Sequence, residues 1–347
     1  MRVNPRLVDV AKAAGVSRGT ASNVFAHPER VREGVREKVL EAAHALGYSG
    51  PDPRARLLRA GKINAIGIVS LAKLGIVDSL RNPVFRQFLI GVGEVCDERG
   101  ANFVIIPDRP GSGGVRNALV DGFIFARVDQ LAEIEPARLR RLPYVVMEVD
   151  AGPHISSVHT DARAGAYASA KHLIDLGHRR FGILSFLRDF GPLNYYPPGE
   201  PRSPDAAGML IDQEKLAGYA DAFAEAGIAI DAVPIVQAHA WDTDAAKTML
   251  DVAPDATAIL SMSVMQAIAV LDEARRRGLL VPRDLSVVGF NDIPEAAHCT
   301  PPLTTVDGMS AEKGRVAARL VFDATPAQHE VLQTKLIIRA STAPPSR

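Results

Sequence analysis

The chain has 347 residues, with 40 basic and 40 acidic side chains. Its apolar fraction of 47% can fill the cores of two or three domains. No apolar run is long enough to span a bilayer, and the first residues lack the apolar core of a signal peptide. The two cysteines, Cys96 and Cys299, have no metal-ligand spacing. We therefore expect a cytoplasmic protein without a membrane segment, metal or cofactor.

The balance of charge over the whole chain conceals two oppositely charged parts. Residues 1–62 contain 12 Lys and Arg against 6 Asp and Glu, whereas the remaining residues contain 28 against 34. A basic segment attached to a larger acidic body is typical of a small module that binds a polyanion.

The basic segment has the pattern of three short helices. Apolar residues with helical spacing run from Leu7 to Ala14, Gly15 ends this helix, and Ser17 stands where the next helix needs a cap. A second helix with Val24 on its inner side follows, and a third is predicted from about residue 32 to 46. Two helices joined by a tight turn predict a helix-turn-helix unit.

Residues 15–19 also match G-x-S-x-G, the motif that carries the nucleophilic serine of many hydrolases. That motif requires a buried strand before its first glycine, but an alanine-rich amphipathic helix precedes Gly15. Ser17 is therefore interpreted as a helix cap, whose hydroxyl could also meet a DNA phosphate.

The outer side of the second helix supplies the candidate base-reading residues. Arg18 can pair with guanine, Asn23 can bind adenine or a phosphate, and Gly19 permits close approach. The alternative is an ordinary solvated helix face. The predicted DNA-binding residues of this helix are Ser17, Arg18, Gly19, Thr20, Ser22 and Asn23.

Three stretches of this segment, "LVDVAKAAGVSRGTASNVF", "VREKVLEAAHALGY" and "ARLLRAGK", resemble the lac-repressor family of bacterial transcription regulators. The resemblance implies a DNA-binding domain over residues 1–50 and a hinge over 51–62 that forms a helix in the DNA minor groove. It assigns Leu58 as the apolar wedge between base steps, with cationic neighbours Arg54, Arg56 and Arg59. Alternatively, the apolar residues of this linker dock on the body.

From residue 63 short apolar runs alternate with amphipathic helical segments, which predicts parallel sheets covered by helices. We therefore expect a small all-α helix-turn-helix head plus an α/β body of two parallel-sheet subdomains, similar to the family's periplasmic-binding-protein-like body. The predicted subdomains are residues 63–160 with 293–325, and 161–292 with 326–347. The resemblance also implies a homodimer, which would read a pseudo-palindromic operator.

The resemblance places an effector site between the subdomains. Lys215, Ser263 and Asn291 replace residues that usually bind sugars in the family, so the effector could differ from a common hexose. For Phe85 and Trp241 a core position is the alternative, and for Lys215 a surface position. Residues 187–213 form an insertion that either joins the site or extends over the surface. The predicted effector-binding residues are Phe85, Glu148, Tyr195, Lys215, Trp241, Ser263, Asn291 and Asp292.

These features predict a sequence-specific DNA-binding transcriptional regulator, a nucleoid-associated repressor that is controlled by a sugar-like small molecule. Two other classes stay open. A solute-binding module of a transporter would share the body but lack the basic segment. An α/β enzyme would need a nucleophile and a base at a credible spacing, and the nine scattered histidines do not supply one, so we expect no catalysis.

Overall fold

A computed structural model describes residues 5–50, 61–69, 75–107, 113–126, 131–187, 191–200, 210–240, 242, 244–324 and 326–346. The chain forms two compact units, Met1–Ile63 and Asn64–Arg347, which we call the head and the body. Within the described residues, no helix is both long enough and apolar enough to cross a membrane.

Three helices make up the head: α1 (Leu7–Ala13), α2 (Arg18–Ala26) and α3 (Glu33–Leu46). Gly15 adopts a φ of 64°, which a glycine accommodates without strain, and this allows the tight turn between α1 and α2. The ring of Phe25 packs edge-on against Tyr48, with 5.6 Å between the ring centroids. The predicted helix-turn-helix fold is thus confirmed, with a small core formed by Val10, Ala11, Ala21, Val24, Val39 and Ala43.

The body contains two sheets. The first has six parallel strands in the order β12-β5-β4-β3-β1-β2. Their bounds are β1 Ala65–Val69, β2 Asn102–Ile106, β3 Gly122–Phe125, β4 Tyr144–Met147, β5 Ser156–Thr160 and β12 His329–Leu332.

The second sheet has seven strands in the order β13-β11-β10-β9-β6-β8-β7, and only its outermost strands, β13 and β7, run antiparallel to their neighbours. Their bounds are β6 Phe181–Phe186, β7 Asn194–Tyr196, β8 Ile235–Ala238, β9 Ala258–Ser261, β10 Ser286–Phe290, β11 Thr304–Asp307 and β13 Lys335–Ile337.

Ten helices of the described body residues connect and cover these strands. Three of them begin at side-chain caps: Asn82, which Pro83 follows, Asp161 and Ser263. The bounds are α4 Gly75–Arg81, α5 Pro83–Arg99, α6 Gly114–Asn117, α7 Glu135–Leu139, α8 Ala162–Asp175, α9 Leu210–Glu225, α10 Asp244–Val252, α11 Val264–Arg276, α12 Pro294–His298 and α13 Ser310–Asp323.

The chain crosses between the sheets after β5, after β11 and after β12. The predicted subdomain limits are wrong for two segments. Strand β11 lies within 293–325 but pairs with β10 in the second sheet, so only α13 of that segment joins the first. Strand β12 lies within 326–347 but pairs with β5 in the first sheet. We call the part around the first sheet, with α13, the first half of the body, and the part around the second sheet the second half.

Candidate DNA-reading helix and effector site

The N-terminus of α2 is organised as the sequence predicts. The Ser17 hydroxyl oxygen accepts a hydrogen bond from the backbone N–H of Thr20 at 3.0 Å, and the two hydroxyl groups lie 2.9 Å apart. Ala21 and Val24 turn inward and are buried. This packing orients the helix and leaves its opposite side to solvent.

Arg18, Gly19 and Asn23 are exposed on that opposite side, while Thr20 and Ser22 are half-buried. Three other arginines of the head lie near carboxylates: Arg6, Arg30 and Arg36, the last at 3.5 Å from Glu33. Arg18 has no ion-pair partner among the described residues, so its guanidinium is available to a ligand. The predicted hinge residues Arg54, Arg56, Leu58 and Arg59 lie outside the described residues.

In the body, several predicted effector residues follow the carboxyl ends of parallel strands, where α/β sheets usually bind ligands. Glu148 follows β4, and Asn291 follows β10. Lys215 projects from α9 and donates a hydrogen bond to the carbonyl oxygen of Met262, directly after β9, at 3.2 Å. These strand ends bring residues from distant parts of the sequence together.

Lys215 is the most unusual of these residues, because its side chain is only 5% exposed. Its ammonium lies 3.8 Å from Asp212 Oδ1 and 4.4 Å from the centre of the Phe290 ring, which provides a cation–π contact. Burial lowers the pKa of Lys215, while Asp212 acts in the opposite direction. The sequence alternative of a surface lysine is therefore wrong.

Glu148 has a φ of 54° and turns its carboxylate toward the end of β5. Thr160 donates to it twice, from the backbone N–H at 3.1 Å and from the hydroxyl at 2.9 Å, and Lys313 Nζ donates at 2.7 Å. Burial opposes ionisation, but Lys313 and these hydrogen bonds hold the pKa of Glu148 below its usual value.

Two lysine–carboxylate pairs, one in each half of the body, thus belong to one charged cluster: Glu148, Asp212, Lys215 and Lys313. The two pairs are coupled electrostatically: beside burial and Asp212, Lys313 lowers the pKa of Lys215 and Glu148 raises it. In the described part of the chain, no group of histidine, cysteine and carboxylate side chains could hold a metal ion.

Ser263 directly follows Met262 and Asn291 directly follows Phe290, the two residues that the Lys215 ammonium contacts besides Asp212. The Ser263 hydroxyl caps α11 by accepting from the Met265 N–H at 3.3 Å. Asn291 has a φ of 76°, and its side-chain oxygen lies so close to Gly308 that a Cβ there would overlap it. Gly308 therefore allows the amide of Asn291 to sit against the second crossover.

Other predicted effector residues are placed differently. Phe85 is buried in the core of the first half and stacks on Phe88 at 6.0 Å, so its alternative as a core residue is supported. Both carboxylate oxygens of Asp292 accept hydrogen bonds from the Arg339 guanidinium, at 2.7 and 2.8 Å. Asp292 therefore binds the segment that follows β13. Trp241 lies outside the described residues.

Within the insertion, residues 191–200 add β7 to the edge of the second sheet, and residues 210–213 begin α9. Tyr195 is 39% exposed on this strand. The Gln237 side-chain oxygen accepts hydrogen bonds from Asn194 at 3.3 Å and from the Tyr196 hydroxyl at 3.2 Å. This part of the insertion is thus bound into the sheet by side chains as well as by backbone pairing.

Sequence reasoning missed Asp212, Lys313 and Gln237. Asp212 could have been found, because it stands three residues before Lys215 on one helix face. Lys313 contacts Glu148 over 165 residues of sequence, and Gln237 contacts Tyr196 over 41. No local pattern encodes such pairs.

A helix-turn-helix head joined to an α/β body, with charged side chains at the strand ends of its two sheets, is the architecture of a ligand-responsive DNA-binding protein. Residues 6–50 match the family model described as bacterial regulatory proteins of the lacI family, and residues 170–342 match the periplasmic binding protein-like domain. An HTH-type transcriptional regulator of Mycolicibacterium smegmatis is 31% identical over 98% of this chain and 97% of its own length. The chain therefore belongs to the lacI family of bacterial transcriptional regulators.

Two further relatives are named for what they do. The HTH-type transcriptional repressor CytR of Escherichia coli is 29% identical over 96% of this chain and 95% of its own length. The solved complex of the transcriptional regulator CelR with cellobiose is 28% identical, with a TM-score of 0.66, and the match covers 97% of this chain and 99% of that one.

Proposed function

We propose that this regulator is a homodimeric repressor that binds a pseudo-palindromic operator and responds to a sugar-like small molecule bound between the halves of its body. The similarity to a repressor and to a cellobiose-bound regulator supports this assignment. The observation that carries it is the exposed guanidinium of Arg18 at the start of a capped helix, with no carboxylate partner among the described residues. We infer further that the protein acts in the cytoplasm on the nucleoid and catalyses no reaction.

In this proposal α2 enters the major groove, since that groove accommodates an α-helix. Arg18 reads a guanine, Asn23 reads an adjacent base or phosphate, and Ser17, Gly19, Thr20 and Ser22 approach the backbone. A second copy of the chain repeats these contacts one helical turn away, which requires an operator with two-fold symmetry. Leu58 with Arg54, Arg56 and Arg59 contacts the minor groove between the half-sites.

The effector site centres on Lys215. An ammonium carries three N–H donors, and among the described residues only the Met262 oxygen accepts from it within hydrogen-bond distance. A hydroxyl or ring oxygen of a sugar-like effector supplies a second acceptor. Glu148, Ser263, Asn291, Tyr195 and Trp241 complete the proposed site.

Effector binding changes operator affinity only to the extent that the effector prefers one arrangement of the two halves over the other. The effector therefore acts through the angle between the halves, and that angle sets how well two heads of the dimer match their half-sites.

The test is selection of bound sequences from a random pool of DNA duplexes with the full-length protein, followed by titration of the selected site. We expect a two-fold symmetric consensus. Thermal-shift screening against sugars, sugar acids and nucleosides follows, and every stabilising compound is added to the operator titration. Repression by this mechanism is refuted if no consensus emerges, and effector control is refuted if no stabilising compound changes operator affinity.

A further inference from the structure

We propose that Glu148 and Lys313 are positioning residues that fix the angle between the two halves of the body and thereby set operator affinity. This inference rests on the proposed function, because operator affinity is one of its readouts.

The Glu148 carboxylate is anchored at the end of β5. It accepts two hydrogen bonds from Thr160, the last residue of β5. The next residue, Asp161, lies in the first crossover, caps α8 through its side chain and accepts from Thr334 in the third crossover at 2.9 Å. Glu148 is thus connected to the point where the chain leaves the first half and, through Asp161, to the point where it last returns to the second.

Lys313 lies in the first turn of α13, and its backbone N–H donates to the carbonyl oxygen of Met309 in the second crossover at 2.8 Å. Its ammonium meets Glu148 Oε1 at 2.7 Å, where the two side chains are 12% and 17% exposed. One partly buried ion pair therefore connects the helix that follows the second crossover to the strand that precedes the first.

This ion pair also interacts with residues of the proposed effector site. Lys215, from the second half, interacts electrostatically with both Glu148 and Lys313, and Glu214 beside it interacts with Glu148. An effector that hydrogen-bonds to Glu148 competes directly with the contacts that hold the crossovers. The same carboxylate then senses the effector and restrains the angle between the halves.

The experiment compares Lys313→Met with Lys313→Arg, which keeps the cation. The control is Arg99→Met. Arg99, at the end of α5, forms an ion pair with Asp323 at the end of α13, with 2.8 Å between the charged atoms. This pair involves the same helix α13 but lies away from the crossovers. The distance between spin labels at Leu139→Cys and Leu280→Cys, exposed positions in the two halves, reports the angle. Labelled protein, in a Cys299→Ser background, is diluted with unlabelled protein.

We expect Lys313→Met to broaden or shift the label distance and to weaken operator binding about fivefold or more, in the usual range of coupling between sites. Lys313→Arg and Arg99→Met should stay within about twofold of the parent protein. If Lys313→Met does not fold, Glu148→Gln tests the same pair and keeps an acceptor for Thr160.

The outcomes separate this inference from the proposed function. If Lys313→Met leaves both the label distance and operator affinity like those of Arg99→Met, the inference is overturned while the regulator assignment stands. If the parent protein selects no operator, the proposed function fails, and the label distance alone still decides whether the pair restrains the halves.

Discussion

Substitution of Arg18 distinguishes a contact to a base from a contact to a DNA phosphate. Its guanidinium is exposed at the start of α2 and has no carboxylate partner in the described part of the head. We predict that Arg18→Ala weakens operator binding by about 1–3 kcal/mol and relaxes the preference at one base pair per half-site. Arg36→Ala, on α3, should leave the sequence preference unchanged. Equal weakening on every sequence would make Arg18 a phosphate contact, as titrations of operator variants can show.

Lys215 and Asp212 allow a test of how a buried ion pair contributes to the fold. Their side chains are 5% and 7% exposed. Removing one partner therefore leaves the other charge buried without the ion-pair energy that offsets its loss of hydration. Lys215→Met should destabilise the body by about 3 kcal/mol, and the double variant Asp212→Asn with Lys215→Met should restore most of that loss. Urea unfolding measures both. Equal stability of the single variant and the parent protein would contradict the pairing.

At the scale of elements, α5 and α13 pack so closely that their backbones touch. A Cβ at Gly91 would overlap the carbonyl oxygen of Ala311, whereas a Cβ at Gly93 on the same helix would only meet Phe103 at 3.7 Å. We predict that Gly91→Ala destabilises the body by about 3 kcal/mol, because neither backbone can withdraw. Gly93→Ala should instead stabilise it by about 0.5–1 kcal/mol through helix propensity. Denaturant unfolding of the two variants distinguishes this contact from a general effect of glycine.

The last residues of the chain are fixed to the second half through His178. Its Nε2 lies 2.9 Å from the Ala343 oxygen and its Nδ1 lies 2.8 Å from Thr257 Oγ1. Burial lowers the pKa of His178, an effect that the Ala343 carbonyl partly counteracts. The folded body therefore binds fewer protons than the unfolded chain near the unfolded histidine pKa of about 6.5.

The free energy of unfolding is therefore greatest above the unfolded histidine pKa of about 6.5, and it falls as the pH drops below that value. We predict a larger loss of melting temperature between pH 7.5 and 5.5 for the parent protein than for His178→Gln, which retains a donor for Ala343. His298→Gln, at an exposed position, is the control. The same pH dependence in all three proteins would show that His178 contributes nothing to it.

The sequence predicted those elements whose determining residues lie close together in the chain, and it failed where the partners are far apart. The helix-turn-helix unit follows from the spacing of Leu7 to Ala14, from Gly15 and from the Ser17 cap, all within one short segment. The assignment of β11 and β12 to sheets failed, because their partners β10 and β5 are chosen by pairing across the fold. Glu148 was found through its family position, whereas its contact with Lys313 depends on residues far apart in sequence.

At the scale of the whole molecule, the opposite charges of the two parts have a consequence for binding. Residues 1–62 carry a net positive charge and the rest of the chain a net negative one, so in the proposed dimer the attraction to DNA comes from the two heads. Counterion release makes such binding steeply dependent on salt, with a slope of about −0.9 per phosphate contact in a plot of log affinity against log salt concentration.

We therefore predict that operator affinity falls by about 10³–10⁵ between 50 and 200 mM salt, as expected for six to ten phosphate contacts in the dimer. Titrations of the selected operator at four salt concentrations measure the slope. Arg18→Ala should lower the affinity at every salt concentration without changing the slope, because a contact to a base edge displaces no phosphate counterion. A nearly flat salt dependence of the parent protein would show that the basic heads do not supply the binding energy.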